Sequence, residues 1–87
     1  MNEIVFYGNK NVIYKNLRRL RKKRNLSQGE LAAKMQVMNV NLTQQLISRI
    51  EHNRRIVTDY ELACLCRALG VTEQEMLSDF YEEYPQD

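Results

Sequence analysis

The chain has 87 residues, of which 44% are hydrophobic and 28% are charged, a balance that is typical of a folded soluble protein. This length allows one domain with a modest core. A single histidine, on a different predicted helix from Cys64 and Cys66, excludes the usual zinc sites, and no glycine-rich phosphate loop or recognisable acid pair indicates an enzyme. We therefore expect neither a metal nor a cofactor.

The net charge of +2 conceals an uneven distribution of charge along the chain. Residues 1–58 hold twelve Lys or Arg and three Glu, giving +9, whereas residues 59–87 hold one Arg and eight acids, giving −7. This split favours a front half that faces a polyanion, with a solvated charge run as the alternative. No apolar run has the length of a membrane span and no signal peptide is visible, so we expect a cytoplasmic protein without membrane contact.

A short apolar run and a helix are the first predicted elements. Residues 4–7, Ile-Val-Phe-Tyr, fit a short strand, an arm packed on the core or part of a dimer contact, and packing on the core is the preferred interpretation. Helix one is predicted from Val12 to Arg24, because apolar residues recur there at intervals of three and four.

Three capping boxes mark the starts of further helices. Ser27 opens helix two, which ends near Asn39; Thr58 opens helix four, which closes at Gly70; and Thr72 opens the last helix. Helix three lies between the first two of these boxes and is predicted over residues 43–52. Five helices and no other regular element predict an all-α fold.

Helix three carries the strongest functional signal. At 100° per residue, its polar side chains fall within one arc of about 140°, opposite three apolar residues. The residues of the polar arc are Gln44, Gln45, Ser48, Arg49 and His52. Glutamine pairs with adenine, arginine with guanine and serine with either, so this face suits a DNA major groove; a solvated surface helix is the alternative.

A series of short segments, in a fixed order, carries a family resemblance. The segments are Leu17-Arg18-Arg19-Leu20-Arg21, Leu26-Ser27-Gln28, Glu30-Leu31-Ala32, Ile47-Ser48-Arg49-Ile50-Glu51, Arg54-Arg55 and Ala68-Leu69-Gly70-Val71. Together they resemble the Cro/C1-type helix-turn-helix domain of lambdoid phage repressors. The resemblance implies a five-helix, lambda-repressor-like DNA-binding domain over residues 13–77, preceded by an N-terminal extension (1–12) and followed by an acidic tail (78–87).

The same resemblance implies roles for individual residues. Gln28 is similar to a glutamine that contacts a DNA phosphate, and Gln44 and Gln45 are the candidate base readers. Arg21 is expected to pair with Glu51 and to lock helix one against helix three. The predicted DNA-binding residues are Gln28, Thr43, Gln44, Gln45, Ser48, Arg49, Asn53, Arg54 and Arg55. The last three would hold the phosphate backbone, the alternative being a solvated basic loop.

One departure and two partner questions complete the prediction. The segment 36–41 is longer than the family pattern by about five residues. Such an insertion can change the angle at which helix three is presented to DNA. The expected partner is double-stranded DNA, bound by a homodimer whose contact uses Phe80, Tyr81 and Tyr84, with or without residues 4–7. A repressor is the first hypothesis; an antitoxin-like module that binds a small protein and its own operator is the alternative.

Overall fold

A computed structural model describes residues 5–86, and the regular elements within this range are all helical. The six helices are α1 (Tyr14–Lys23), α2 (Gln28–Val37), α3 (Gln44–Glu51), α4 (Asp59–Leu69), α5 (Glu73–Met76) and α6 (Ser78–Glu83). The all-α prediction is confirmed. The part of the sequence analysis that concerns Ile4 lies outside the described residues.

Side-chain caps define the starts of α2, α4 and α5. Ser27, Thr58 and Thr72 each accept a hydrogen bond from the backbone N–H three residues ahead, and the glutamate there binds back to the cap. All three predicted capping boxes are thus confirmed. Each cap contributes about 1 kcal/mol, because backbone donors that have no partner within the helix are satisfied.

Residues in the left-handed conformation terminate the first four helices. Asn25, Asn39 and Asn53 have φ values of 57°, 61° and 58°, and Gly70 has a φ of 66°. Asparagine and glycine adopt this region at the least steric cost, which is why these residue types predicted the ends correctly.

The core lies where α3 packs on α1 and α2 and where α4 and α5 close the other side. The largest fully buried apolar side chains are Leu17, Leu31, Met35, Leu42, Ile47, Ile50, Leu65, Leu69 and Met76. On the apolar side of α3, Ile47 and Ile50 are fully buried and Leu46 is partly buried, which fixes the direction in which the polar side faces.

A buried ion pair locks α1 to α3. The Arg21 guanidinium donates from Nε to Glu51 Oε2 at 2.6 Å and from Nη2 to Glu51 Oε1 at 2.9 Å, and its Nη1 donates to the Leu26 carbonyl at 2.8 Å. Hydrogen bonding to Glu51 raises the pKa of Arg21 further. The predicted pairing is confirmed, in the bidentate geometry that arginine and carboxylate favour.

The last predicted helix is divided in two, so that six helices replace the expected five. Its break lies at Leu77, between α5 and α6. Asn16 on α1 is buried and donates from Nδ2 to the Met76 carbonyl at 3.1 Å and to Ser78 Oγ at 3.0 Å, while Ser78 Oγ donates to the Glu75 carbonyl at 2.9 Å. These side-chain bonds take up carbonyls at the end of α5, and the chain turns there instead of continuing straight.

The N-terminal segment forms a tight turn and packs on α6. Tyr7 and Gly8 have φ values of 48° and 79°, and Phe6 and Asn9 exchange backbone hydrogen bonds of 2.8 and 2.9 Å, as in a type I′ turn. The Phe6 ring lies 5.6 Å from that of Phe80 and 5.0 Å from that of Tyr84. Residues 5–7 remain 39–79% exposed, so the expected packing on the core is wrong for them.

Candidate nucleic-acid interface

The position of α3 presents its polar side to solvent. Thr43 caps the helix: its side chain accepts a hydrogen bond from Leu46 N at 3.2 Å and so stabilises the first turn. Ile47 and Ile50 are 0% exposed on the opposite side, whereas the glutamines and the arginine of the polar arc are exposed and Ser48 is half-buried. The predicted orientation of this helix is confirmed.

Five of the predicted DNA-binding residues share one shallow depression of the surface. This reading surface consists of Gln28, Gln44, Gln45, Ser48 and Arg49. Gln28 begins α2 and the other four lie on α3, so the depression spans the junction of the two helices. Gly29 lies beside it: a Cβ added there would be 3.6 Å from Gln44 Oε1, in ordinary van der Waals contact.

A hydrogen bond holds Gln28 at the edge of the reading surface. Its Nε2 donates to Glu51 Oε1 at 3.0 Å, and Glu51 is itself bound by Arg21. The carboxamide nitrogen carries a second hydrogen that is suited to a phosphate oxygen. The ion pair that locks α1 to α3 therefore also orients this side chain.

Asn53 fastens the N-terminal segment to the end of α3. Its Oδ1 accepts hydrogen bonds from the backbone N–H groups of Lys10, at 2.9 Å, and Asn11, at 3.3 Å. Its Nδ2 donates to Asn9 Oδ1 at 2.8 Å. Both ends of this carboxamide are bound inside the protein, which gives Asn53 a positioning role. Its Nδ2, like that of Gln28, carries a second hydrogen, so the phosphate contact stays a prediction.

The side chain of Arg55 is also bound within the protein, whereas that of Arg54 is not. Arg55 donates to both carboxylate oxygens of Glu61, at 2.9 and 3.0 Å, which ties the loop after α3 to the start of α4. Burial alone would raise the pKa of Glu61, but hydrogen bonds from Arg55 and Thr58 outweigh it and lower the pKa. Arg54 is exposed, and no hydrogen bond of its side chain occurs within residues 5–86.

The sequence analysis missed two buried asparagines that support this surface. Asn11 donates from Nδ2 to the carbonyls of Ile50 and Arg55, both at 3.0 Å, and accepts from Ile13 N at 3.0 Å. The second is Asn16, at the break between α5 and α6. An asparagine shortly before a helix is a recognisable capping signal, so Asn11 was detectable in part; its contacts with residues 39 and 44 positions away were not.

The two cysteines of α4 are free thiols, Cys66 buried and Cys64 half-buried. Burial, with smaller contributions from Glu73 and Glu75, raises the pKa of the Cys66 thiol to about 11. Across residues 5–86, no three His, Cys, Asp or Glu side chains are grouped as metal ligands. A membrane-spanning helix is likewise not found in this part of the chain.

The polar side of α3 is exposed, its start is capped, it packs on the preceding α2, and an ion pair joins it to α1. This arrangement defines a helix-turn-helix DNA-binding domain. A helix-turn-helix family model matches residues 17–76, and the chain belongs to this family, in its Cro/C1 type. It is thus a DNA-binding transcriptional regulator and not an enzyme.

Comparison with solved structures agrees on the fold. The clp gene regulator ClgR from C. glutamicum superposes with a TM-score of 0.71 at 23% identity, over 90% of this chain and 95% of that one. At this identity the likeness concerns architecture alone. No functionally curated protein matches the sequence.

Proposed function

We propose that the protein is a cytoplasmic repressor that binds double-stranded DNA sequence-specifically with α3 in the major groove. The observation that carries this proposal is the reading surface: its polar side chains line one exposed depression, while Ile47 and Ile50 on the opposite side of the same helix are fully buried. Side chains with this chemistry, on a rigid support, are what direct readout of base edges requires.

Base reading and backbone binding fall to different residues in this proposal. Gln44 and Gln45 in the first turn of α3 read base edges, with Ser48 and Arg49 one turn further along. Arg54, just beyond the helix, provides the charged phosphate contact. Thr43, Asn53 and Arg55 act indirectly by holding α3 and its following loop in place.

Gln28 forms a second backbone contact. Its carboxamide is held beside Gln44 by Glu51, so that its remaining N–H faces the groove edge. A neutral donor placed in this way sets the register of the protein on the duplex without adding charge.

The proposal includes a homodimer formed through an aromatic surface, to which the N-terminal segment and α6 both contribute. The rings of Phe6, Tyr7, Phe80, Tyr81 and Tyr84 contact one another within 4.7–5.6 Å. Tyr7 is 79% and Tyr81 is 56% exposed, so the cluster offers apolar area to a second copy. An eight-residue helix spans only about 12 Å, and two copies about 34 Å apart would read two half-sites.

The test is selection of bound sequences from random duplexes, followed by sedimentation of the protein with and without the selected site. We expect one preferred sequence with two related half-sites and two chains per duplex. Binding without any preferred sequence would refute the proposed readout. A strictly monomeric protein at high micromolar concentration would refute the dimer, and a small protein that co-purifies in stoichiometric amount would favour the antitoxin-like alternative.

A further inference from the structure

The connection between α2 and α3 is a rigid turn, even though it is long. Asn39 N donates to the Gln36 carbonyl at 2.9 Å, and Val40 N donates to the Met35 carbonyl at 3.0 Å, which is the Schellman pattern of a helix end. Leu42 N then donates to the Val40 carbonyl at 3.0 Å, closing a three-residue turn around the residue between them.

That residue is Asn41, and the core holds both of its neighbours. Val40 is 5% and Leu42 is 1% exposed, so each is anchored in the interior. Asn41 is itself exposed, and its carboxamide has no hydrogen bond within the described part of the chain. The turn thus fixes the position of one polar side chain and directs it outward.

Asn41 stands close to the reading surface. It lies two residues before Thr43, the cap of α3, and three before Gln44. Three residues span at most about 10 Å, and the major groove is about 12 Å wide. When Gln44 touches a base edge in the groove, Asn41 therefore lies within about 10 Å of it, a separation that is within reach of the flanking sugar-phosphate backbone.

We infer that Asn41 is an additional DNA-contacting residue, which donates a hydrogen bond from Nδ2 to a phosphate oxygen beside the bases read by Gln44. The inference rests on the proposed function, and it assigns a DNA-binding role to the long turn between α2 and α3. Because the backbone on either side is already fixed, the contact orders only one short side chain on binding. A neutral amide donor there adds register without adding charge.

Three substitutions of Asn41 test the contact on the selected site. Asn41→Ala should weaken binding about fivefold on every sequence alike, as loss of one hydrogen bond does. Asn41→Asp should weaken it by more than about tenfold through repulsion of the phosphate. Asn41→Lys should tighten it at low salt and steepen the dependence of log K on log salt by about 0.9 for each bound chain, or about 1.8 for the proposed dimer.

The matched controls are Gln74→Glu and Gln74→Lys, which make the same charge changes at an exposed position of α5. They should alter affinity less than twofold. In ethylation interference, one phosphate that matters for the unaltered protein should cease to matter for Asn41→Ala.

Each contrary result has a distinct meaning. If the Asn41 variants behave like the Gln74 variants, Asn41 is remote from the DNA and the inference is refuted. If Asn41→Ala changes the preferred base at one position, the residue reads a base and the phosphate assignment is wrong. Failure of the unaltered protein to bind any DNA sequence would instead refute the proposed function.

Discussion

Loss of the Glu51 carboxylate tests the ion pair that joins α1 to α3. The side chains of Arg21 and Glu51 are 9% and 2% exposed, so Glu51→Ala would leave a nearly buried guanidinium without its two charged hydrogen bonds. Breaking one partner of such a pair costs about 3–5 kcal/mol. We expect a value near the lower end, about 3 kcal/mol, because Arg21 keeps its bond to the Leu26 carbonyl.

This loss is large for a chain of this size. At about 0.05–0.15 kcal/mol per residue, the whole domain has a free energy of unfolding of about 4–13 kcal/mol. Each kcal/mol corresponds to about 4–8 °C in Tm for a domain of this length, so Glu51→Ala should lower Tm by about 12–24 °C. The measurement is urea unfolding and thermal melting followed by circular dichroism.

A double substitution separates the ion pair from simple packing. Arg21→Met with Glu51→Leu removes both charges and should recover most of the lost stability, since no uncompensated charge remains buried. Glu82→Ala, at an exposed position on α6, is the control and should change stability by less than about 0.5 kcal/mol. The reasoning is refuted if Glu51→Ala costs less than about 1 kcal/mol, or if the double variant is as unstable as the single one.

Further predictions concern readout, clamping, pH and the N-terminal segment. Gln44→Ala should relax preference at one or two base pairs at a cost of about 1–3 kcal/mol each, measured by competition between duplexes, and an unchanged preference would contradict base reading. Arg54→Ala should weaken all sequences similarly and reduce the salt slope by about 0.9 for each bound chain, or about 1.8 for the proposed dimer; a sequence-dependent effect would argue against a phosphate contact. Because the folded pKa of Glu61 is lowered, its stabilisation is present above the unfolded value and is lost as pH falls through the folded pKa. Acid melts should therefore show a loss of Tm below about pH 4.5 that Glu61→Gln flattens, and identical profiles would refute the assignment. Asn53→Gly keeps the left-handed backbone but removes the carboxamide, so the amides of residues 10 and 11 should exchange faster with solvent while Tm falls only modestly.

Local signals in the sequence account for most of the helices and for the direction of α3. Capping serines and threonines lie three residues from their glutamates, and the left-handed asparagines directly follow their helices. These interactions are short in sequence, so pattern and propensity suffice to predict them. The exposed side of α3 follows for the same reason, because helical periodicity alone places Ile47 and Ile50 opposite Gln45.

Contacts between distant residues decided what the sequence analysis missed. Asn53 lies just beyond α3, but its bonds to the backbone N–H groups of Lys10 and Asn11, more than forty residues earlier, were not predicted. The break after α5 depends on Asn16, sixty residues earlier than the Met76 carbonyl that it binds. Such partners are fixed by tertiary packing, which a single sequence does not encode in any local pattern.

Gly29, which has no side chain, affects the space available to the neighbouring side chain of Gln44. An alanine would fit beside Gln44 without a clash, and would strengthen a helix by up to about 1 kcal/mol. The glycine thus leaves the neighbouring Gln44 carboxamide more room to change rotamer, at the cost of the extra backbone entropy that glycine loses on folding. With that room, the side chain can turn either its donor or its acceptor end outward without a movement of the helix.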